Sequence, residues 1–198
     1  ADSAFQYLAT QPLPEITVDM NPIWQAFYNT RPFAKIADKE SEYYLTAADK
    51  FGLLIDAPKS SAWDLAAFNA HYDNISGVGF DWVWEQSQRP RYEQTLATAK
   101  DDLANILANI SARVPAPVIV FNPTSWSRSE VVEITGELPD LNALPAPIQQ
   151  IDSNTIAFLA RDVPSLGYVG LNGGQGNIDH PASVTQNGNQ ITLANGLA

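Results

Sequence analysis

The chain has 198 residues, 45% of them hydrophobic, enough for one large domain or two small ones with a substantial core. Twenty-two acidic against eleven basic residues give a formal charge of -11 without any run of like charges, a solvated acidic surface that argues against nucleic acid and anionic membrane as partners. With no cysteine, disulfides and thiolate metal sites are excluded and the compartment stays open; with His71 and His180 the only histidines, a complete zinc site from this chain alone is not expected.

The opening ADSAFQYLATQPLPEI lacks the basic and then apolar stretches of a signal peptide, and no apolar run reaches the ~18 residues of a membrane span. The first residue is not Met, and QITLANGLA stops while a strand pattern is still running, so the chain is expected to be a piece of a longer polypeptide.

Phe33, Ile36, Ala37, Glu40, Tyr44, Ala47, Ala48 and Phe51 recur at spacings of three and four, which predicts an amphipathic helix over 33–55 with Pro32 just before it and Gly52 near its end. SAWDLAAFNAHY predicts a second, shorter helix, with Ser61 and Asp64 at capping-box spacing ahead of Leu65 and Phe68. It should end near His71–Asp73, because Asn74, Ser76, Gly77 and Gly79 favour turns. A third helix is expected from about Pro90, with Tyr92, Leu96, Ala99, Leu103, Ile106, Leu107 and Ile110 on one side, so that three helices bury their stripes as a bundle.

At VPAPVIVFNPTSW the period changes: Pro115, Pro117 and Pro123 forbid helix, and VIVF, EVVEI, IQQID, TIAFLA, GYVGL, SVTQ and QITLA read as strands between Pro, Gly and Asn clusters. The predicted fold is α+β, a three-helix bundle over 1–114 followed by an antiparallel β-sandwich portion over 115–198, with the boundary near Pro115.

The stretch FNAHYDNISGVGFDWVW, Phe68 to Trp84, holds His71 among acids, amides and turn residues. It reads either as a helix end, with Asp73 accepting backbone N–H bonds and His71 near the C-terminal dipole, or as the rim of a site. Trp63, Trp82 and Trp84 likewise read as packing between helices or as a platform for a sugar ring.

A resemblance sharpens the choice. His71-Tyr72-Asp73-Asn74-Ile75-Ser76-Gly77-Val78 resembles the His-His-Asp-Ala-Ile-Thr-Gly-Thr run of family 38 glycoside hydrolases, the α-mannosidases. NPIWQAFYNTRPFAKI (Asn21 to Ile36) is similar to that family's Phe-Tyr-Thr-Ser-Arg-Pro helix start, VIVFNPTSWSRSEVVEI (Val118 to Ile134) to its Val-Phe-Asn-Pro-Leu-Ser-Trp-Pro-Arg strand pair, and FLARDVPSLGYVGL (Phe158 to Leu171) to its Asp-Val-Pro-Ala-Leu-Gly-Tyr segment. The four occur in the family's order.

The resemblance implies the centre of an enzyme whose N-terminal α/β domain, absent from this sequence, carries the nucleophile, the acid/base and most zinc ligands. Retaining glycosidases use two carboxylates about 5–5.5 Å apart and an oxocarbenium-like transition state; in α-mannosidases a zinc ion also orients the sugar. By itself the chain is expected to be inactive, with no catalytic residue of its own, and to meet an α-mannoside-like carbohydrate and the missing domain. Asp73 matches the family's sugar-binding Asp. Tyr72 stands where the family has its zinc-binding His, and a phenol is a poor substitute for imidazole, so His71 is the possible replacement. His71 itself matches a residue near the sugar or behind the metal. The substrate-binding set is thus Asp73, His71 and Tyr72, with zinc in the full-length enzyme and none expected on this chain alone. Arg31 and Tyr28 are expected to be structural, Trp126 to fill the strand core beside an Asn122–Pro123 turn, and His180 to lie in a loop. The alternative is a binding or structural module with a degenerate site, which Tyr72 favours.

Overall fold

The computed structural model describes residues 2–12, 15, 17, 29–145, 147–173 and 182–195, so what the sequence implied for Tyr28 and His180 lies outside the described residues. The chain is mixed helix and sheet, helical up to Ser111 and stranded from Val118, and every strand pairing among the described residues is antiparallel. After an exposed helix α1 (Asp2–Ala9), α2 runs Pro32–Gly52 and tightens into a 3-10 turn at Leu53–Ile55; α3 is Ala62–Asn69 and α4 the short Tyr72–Ile75. α5 (Asp81–Val83) continues through a π turn, Trp84–Gln88, into α6 (Arg89–Ser111). None of these helices is long and apolar enough to cross a membrane.

Pro32 occupies the first turn of α2, where its missing N–H costs nothing. The buried face of this helix differs from the expected stripe. Ala34, Ala37, Ser41, Leu45, Ala47, Ala48, Phe51 and Gly52 are inside, Ala37, Ala47, Ala48 and Phe51 among them as the stripe predicts, whereas Phe33 and Ile36 are 37% and 56% exposed. The seam against α6 mixes small residues with Leu45 and Phe51, and Gly52 lies in it close to the Ile106 Cδ1. Ser41 joins the seam by donating to the Ala37 carbonyl at 2.6 Å. Across it lie Tyr92, Thr95, Ala99, Ile106 and Ile110 of α6, with Leu96, Leu103 and Leu107 at the margin.

Two helix starts also differ from expectation. Ser61 is itself helical and makes no cap; Ser60 does the work, its Oγ accepting from the Ala62 N–H at 3.1 Å. The third helix begins at Asp81, nine residues before Pro90, because the π turn opens the ladder where a proline ring would strike the preceding carbonyls and lets the Arg89 N–H reach back to Trp84.

Among the described residues, the seven strands lie where the apolar runs placed them. β1 (Val118–Asn122) pairs with β5 (Gly167–Leu171); β4 (Thr155–Val163) is central between β2 (Arg128–Thr135) and β3 (Ile148–Gln150); β6 (Ser183–Asn187) and β7 (Gln190–Ala194) form a separate exposed hairpin. The two larger pairings share one core: Leu144, Ile156, Phe158, Ala160 and Val163, flanked by Val118, Val120, Val132 and Val169. Helices and strands meet at Phe121, whose ring stands edge-on to Phe51 at 5.3 Å, and at Lys50, whose ammonium donates to the Pro123 carbonyl at 2.9 Å.

Candidate functional site

The segment from Phe68 to Gln88 forms a tip beside the N-terminal ends of α2 and α6, with polar groups below and exposed aromatic rings along it. Its base is a buried amide network. The Tyr92 hydroxyl donates to the Asn69 carbonyl at 2.7 Å, Asn69 Nδ2 donates to Thr95 Oγ1 at 3.0 Å, and Arg91 Nε donates to Asn69 Oδ1 at 2.8 Å. Asn74 Nδ2 donates to the Phe68 carbonyl and Asn74 Oδ1 accepts from Gln88 Nε2, both at 2.9 Å. Asparagine at positions 69 and 74 thus ends α3 and fastens α4 to the π turn, since a short amide both donates and accepts over such distances. Burial, with the Asp38 carboxylate adding to it, pushes the Tyr92 phenol up to about 12. Burial also raises the Asp38 carboxyl, with Glu42 adding, and lowers the Arg91 guanidinium.

A second support comes from the start of α2. Arg31 sits in the left-handed region (φ 47), which turns its guanidinium onto the Trp84 ring, 5.0 Å from the centroid, and gives Asp81 a 2.8 Å ion pair. Lys35, lowered by desolvation and then by Arg31, donates to the Thr30 carbonyl and, at 3.2 Å, to the Ser76 carbonyl. Gly77 (φ +75) lets the loop pass this close, for a Cβ there would stand 3.0 Å from the Thr30 oxygen. Arg31 is thus salt-bridged, as expected from the sequence. Among the described residues, Arg31 Nη1, Ser76 Oγ and Gln88 Oε1 are buried without a hydrogen-bond partner.

On this base stand the three residues singled out from sequence, and the fold brings them together in one turn. His71, Tyr72 and Asp73 are all exposed; Tyr72 is 73% exposed, and its ring lies 4.4 Å from the imidazole at 31°. The helix-end account of this stretch needs correction. α3 stops at Asn69, and His71 is the N-cap of α4: its backbone is extended (φ -56, ψ 137) and its Nδ1 accepts the Asp73 N–H at 3.3 Å. Histidine, rather than aspartate, is the acceptor, and the Asp73 carboxylate is left in solvent with Oδ2 3.9 Å from the same Nδ1. No sequence signal marked His71 as a cap, because imidazole is outside the usual Ser, Thr, Asp and Asn set.

The tryptophans divide. Trp84 is buried between Phe33 and Tyr92, Trp63 is half-buried with its Nε1 donating to Asp49 Oδ2 at 2.9 Å, and Trp82 is 64% exposed near Phe80 in the sequence. Trp126 is also corrected: its side chain is 61% exposed, and only its carbonyl is held, by Asn122 Nδ2 at 2.8 Å.

Zinc finds a poor fit among these donors. The His71 Nδ1 lone pair is engaged by an amide proton, Tyr72 offers a phenol, and Asp73 alone offers a ready ligand. Among the described residues, no group of three or more His, Asp and Glu side chains gathers where one ion could join them. No family model, curated protein or solved structure matches this chain.

Proposed function

We propose that the chain is the central part of a glycoside hydrolase resembling the α-mannosidases. Its helices would form the three-helix middle domain and its strands the start of a β-sandwich domain. The observation that carries this reading is the ordered set of four motifs, one of which, His71-Tyr72-Asp73, stands exposed on a turn held from beneath by a buried network. A carboxylate carried on a braced, solvent-facing turn is suited to gripping sugar hydroxyls by charge-assisted hydrogen bonds. In this reading Asp73 contacts the sugar, His71 and Tyr72 flank it, and the nucleophile, the acid/base and the zinc belong to an N-terminal domain of the parent polypeptide.

The test is hydrolysis of an aryl α-mannoside by the full-length parent and by this chain, side by side. Turnover is expected from the parent alone, and Asp73→Asn in the parent should lower kcat/KM by at least about a hundredfold, the scale of losing a charged transition-state contact. Unchanged turnover in that variant would remove Asp73 from the site.

A second reading, a non-catalytic carbohydrate-binding or interaction module, draws on the exposed aromatic side chains of Phe68, Tyr72, Phe80 and Trp82 along the tip. Binding of methyl α-mannoside to a parent that hydrolyses no aryl glycoside would favour it.

A further inference from the structure

The geometry points to His71 as a capping residue fixed in the Nε2–H tautomer, so that the tip recognises its ligand through hydrogen bonds, without zinc held by this chain. The inference takes from the mannosidase reading only the alignment that makes His71 and Tyr72 candidates for the metal.

A neutral imidazole has one lone pair and one N–H. Nδ1 accepts the Asp73 amide proton at 3.3 Å, so its lone pair faces inward and the ring proton resides on Nε2. Zinc at Nε2 would need the opposite tautomer, with a proton on Nδ1 pointing at the Asp73 N–H. Zinc at Nδ1 would displace that N–H outright. Capping and ligation are therefore exclusive uses of one ring, and His71, as the N-cap of α4, is committed to the first.

The neighbours reinforce the choice. The Tyr72 ring lies over the imidazole at 4.4 Å and limits its rotation. The Asp73 carboxylate, 3.9 Å from Nδ1, is beyond hydrogen-bond distance and so does not hold a proton on that nitrogen. Toward solvent the turn thus presents an N–H donor from His71, a phenol from Tyr72 that both donates and accepts, and an acceptor-only carboxylate from Asp73. That set matches vicinal hydroxyls of a neutral polyol, each of which can donate to the carboxylate while accepting from the imidazole or phenol.

The experiment is a long-range 1H–15N correlation of the two imidazoles in the 15N-labelled chain at about pH 8, with the neutral forms in view. A His180→Gln variant assigns the second ring. The Nε2–H pattern is expected for His71, unchanged by excess zinc chloride. Alongside it, exchange of the Asp73 amide should accelerate about fivefold in His71→Ala and stay within about twofold of the parent rate in His71→Asn, since asparagine also caps. An Nδ1–H pattern, or movement of the His71 resonances with added zinc, would overturn the inference. Neither readout involves sugar turnover, so the mannosidase reading stands or falls separately.

Discussion

Two polar clusters, one near each end of α2, use similar residues to opposite ends. In the strand region Asn122, 2% exposed, is the centre of a knot. Its Nδ2 donates to the carbonyls of Trp126, Val163 and Pro164 at 2.8, 3.1 and 3.0 Å, and its Oδ1 accepts from the N–H and hydroxyl of Thr124 at 3.0 and 2.6 Å. The Leu166 N–H closes the knot on the Thr124 carbonyl at 2.9 Å. At the helical tip the buried amides are paired below, but three buried polar atoms lack partners among the described residues, and His71, Tyr72 and Asp73 stand in solvent. A saturated buried network fixes a chain crossing, whereas at the tip the groups open to solvent are those of His71, Tyr72 and Asp73 above the buried amides. The contrast also explains two of the four motifs: FNPTSW and RDVPSLGY meet at Asn122, so their joint presence records one structural joint.

The comparison breaks most clearly at Asn122. Asn122→Ala should lower the unfolding free energy by about 3 kcal/mol or more, read from the urea midpoint, because three carbonyls and the Thr124 groups lose their partner together. A loss below about 1 kcal/mol would mean water replaces the amide, and the knot would no longer differ from the tip.

Next comes the base of the tip. The Tyr92 phenol is raised from 10.0 to about 12, so the folded chain keeps its proton after the unfolded chain has released it. The stabilisation is complete below about pH 10 and is lost as pH rises toward 12, an alkaline loss of about 2 kcal/mol. Tyr92→Phe should flatten that part of the stability profile. Gly77→Ala should cost about 1–2 kcal/mol, since φ +75 and the Thr30 oxygen both oppose a methyl group. The smallest effect belongs to the surface of the tip: Tyr72→Ala and Asp73→Asn should change stability by no more than about 0.5 kcal/mol. A larger loss would make these residues part of the scaffold and erase the distinction.

Much of the fold was legible because period and proline speak plainly in this chain. The switch from spacings of three and four to short apolar runs places the first strand just after Pro117, and all seven strands follow. What escaped was set by size and context. Ala34, Ser41 and Gly52, which carry little hydrophobic signal, join Leu45 and Phe51 in the α2 seam, while Ile36, predicted inside, is 56% exposed. Pro90 read as a helix start because nothing in the residues announces a π turn. Within the candidate site, Asp73 and its neighbours were found by motif, but the role of His71 was not, since capping depends on one hydrogen bond made in three dimensions. Trp126 read as core because tryptophan is usually inside; here only its carbonyl is needed.

The π turn between Trp84 and Gln88 makes residue count a determinant in its own right. One residue more than an α-helix needs is wound into that stretch, which rotates everything before it by about 100° around the axis. That offset turns Asp81 toward Arg31 and Gln88 toward Asn74. The exposed Ser87 can change its identity with little consequence, but deleting it would restore regular winding and carry Asp81 a quarter-turn away from its arginine. At Ser87 the chain tolerates misspelling and does not tolerate a missing letter.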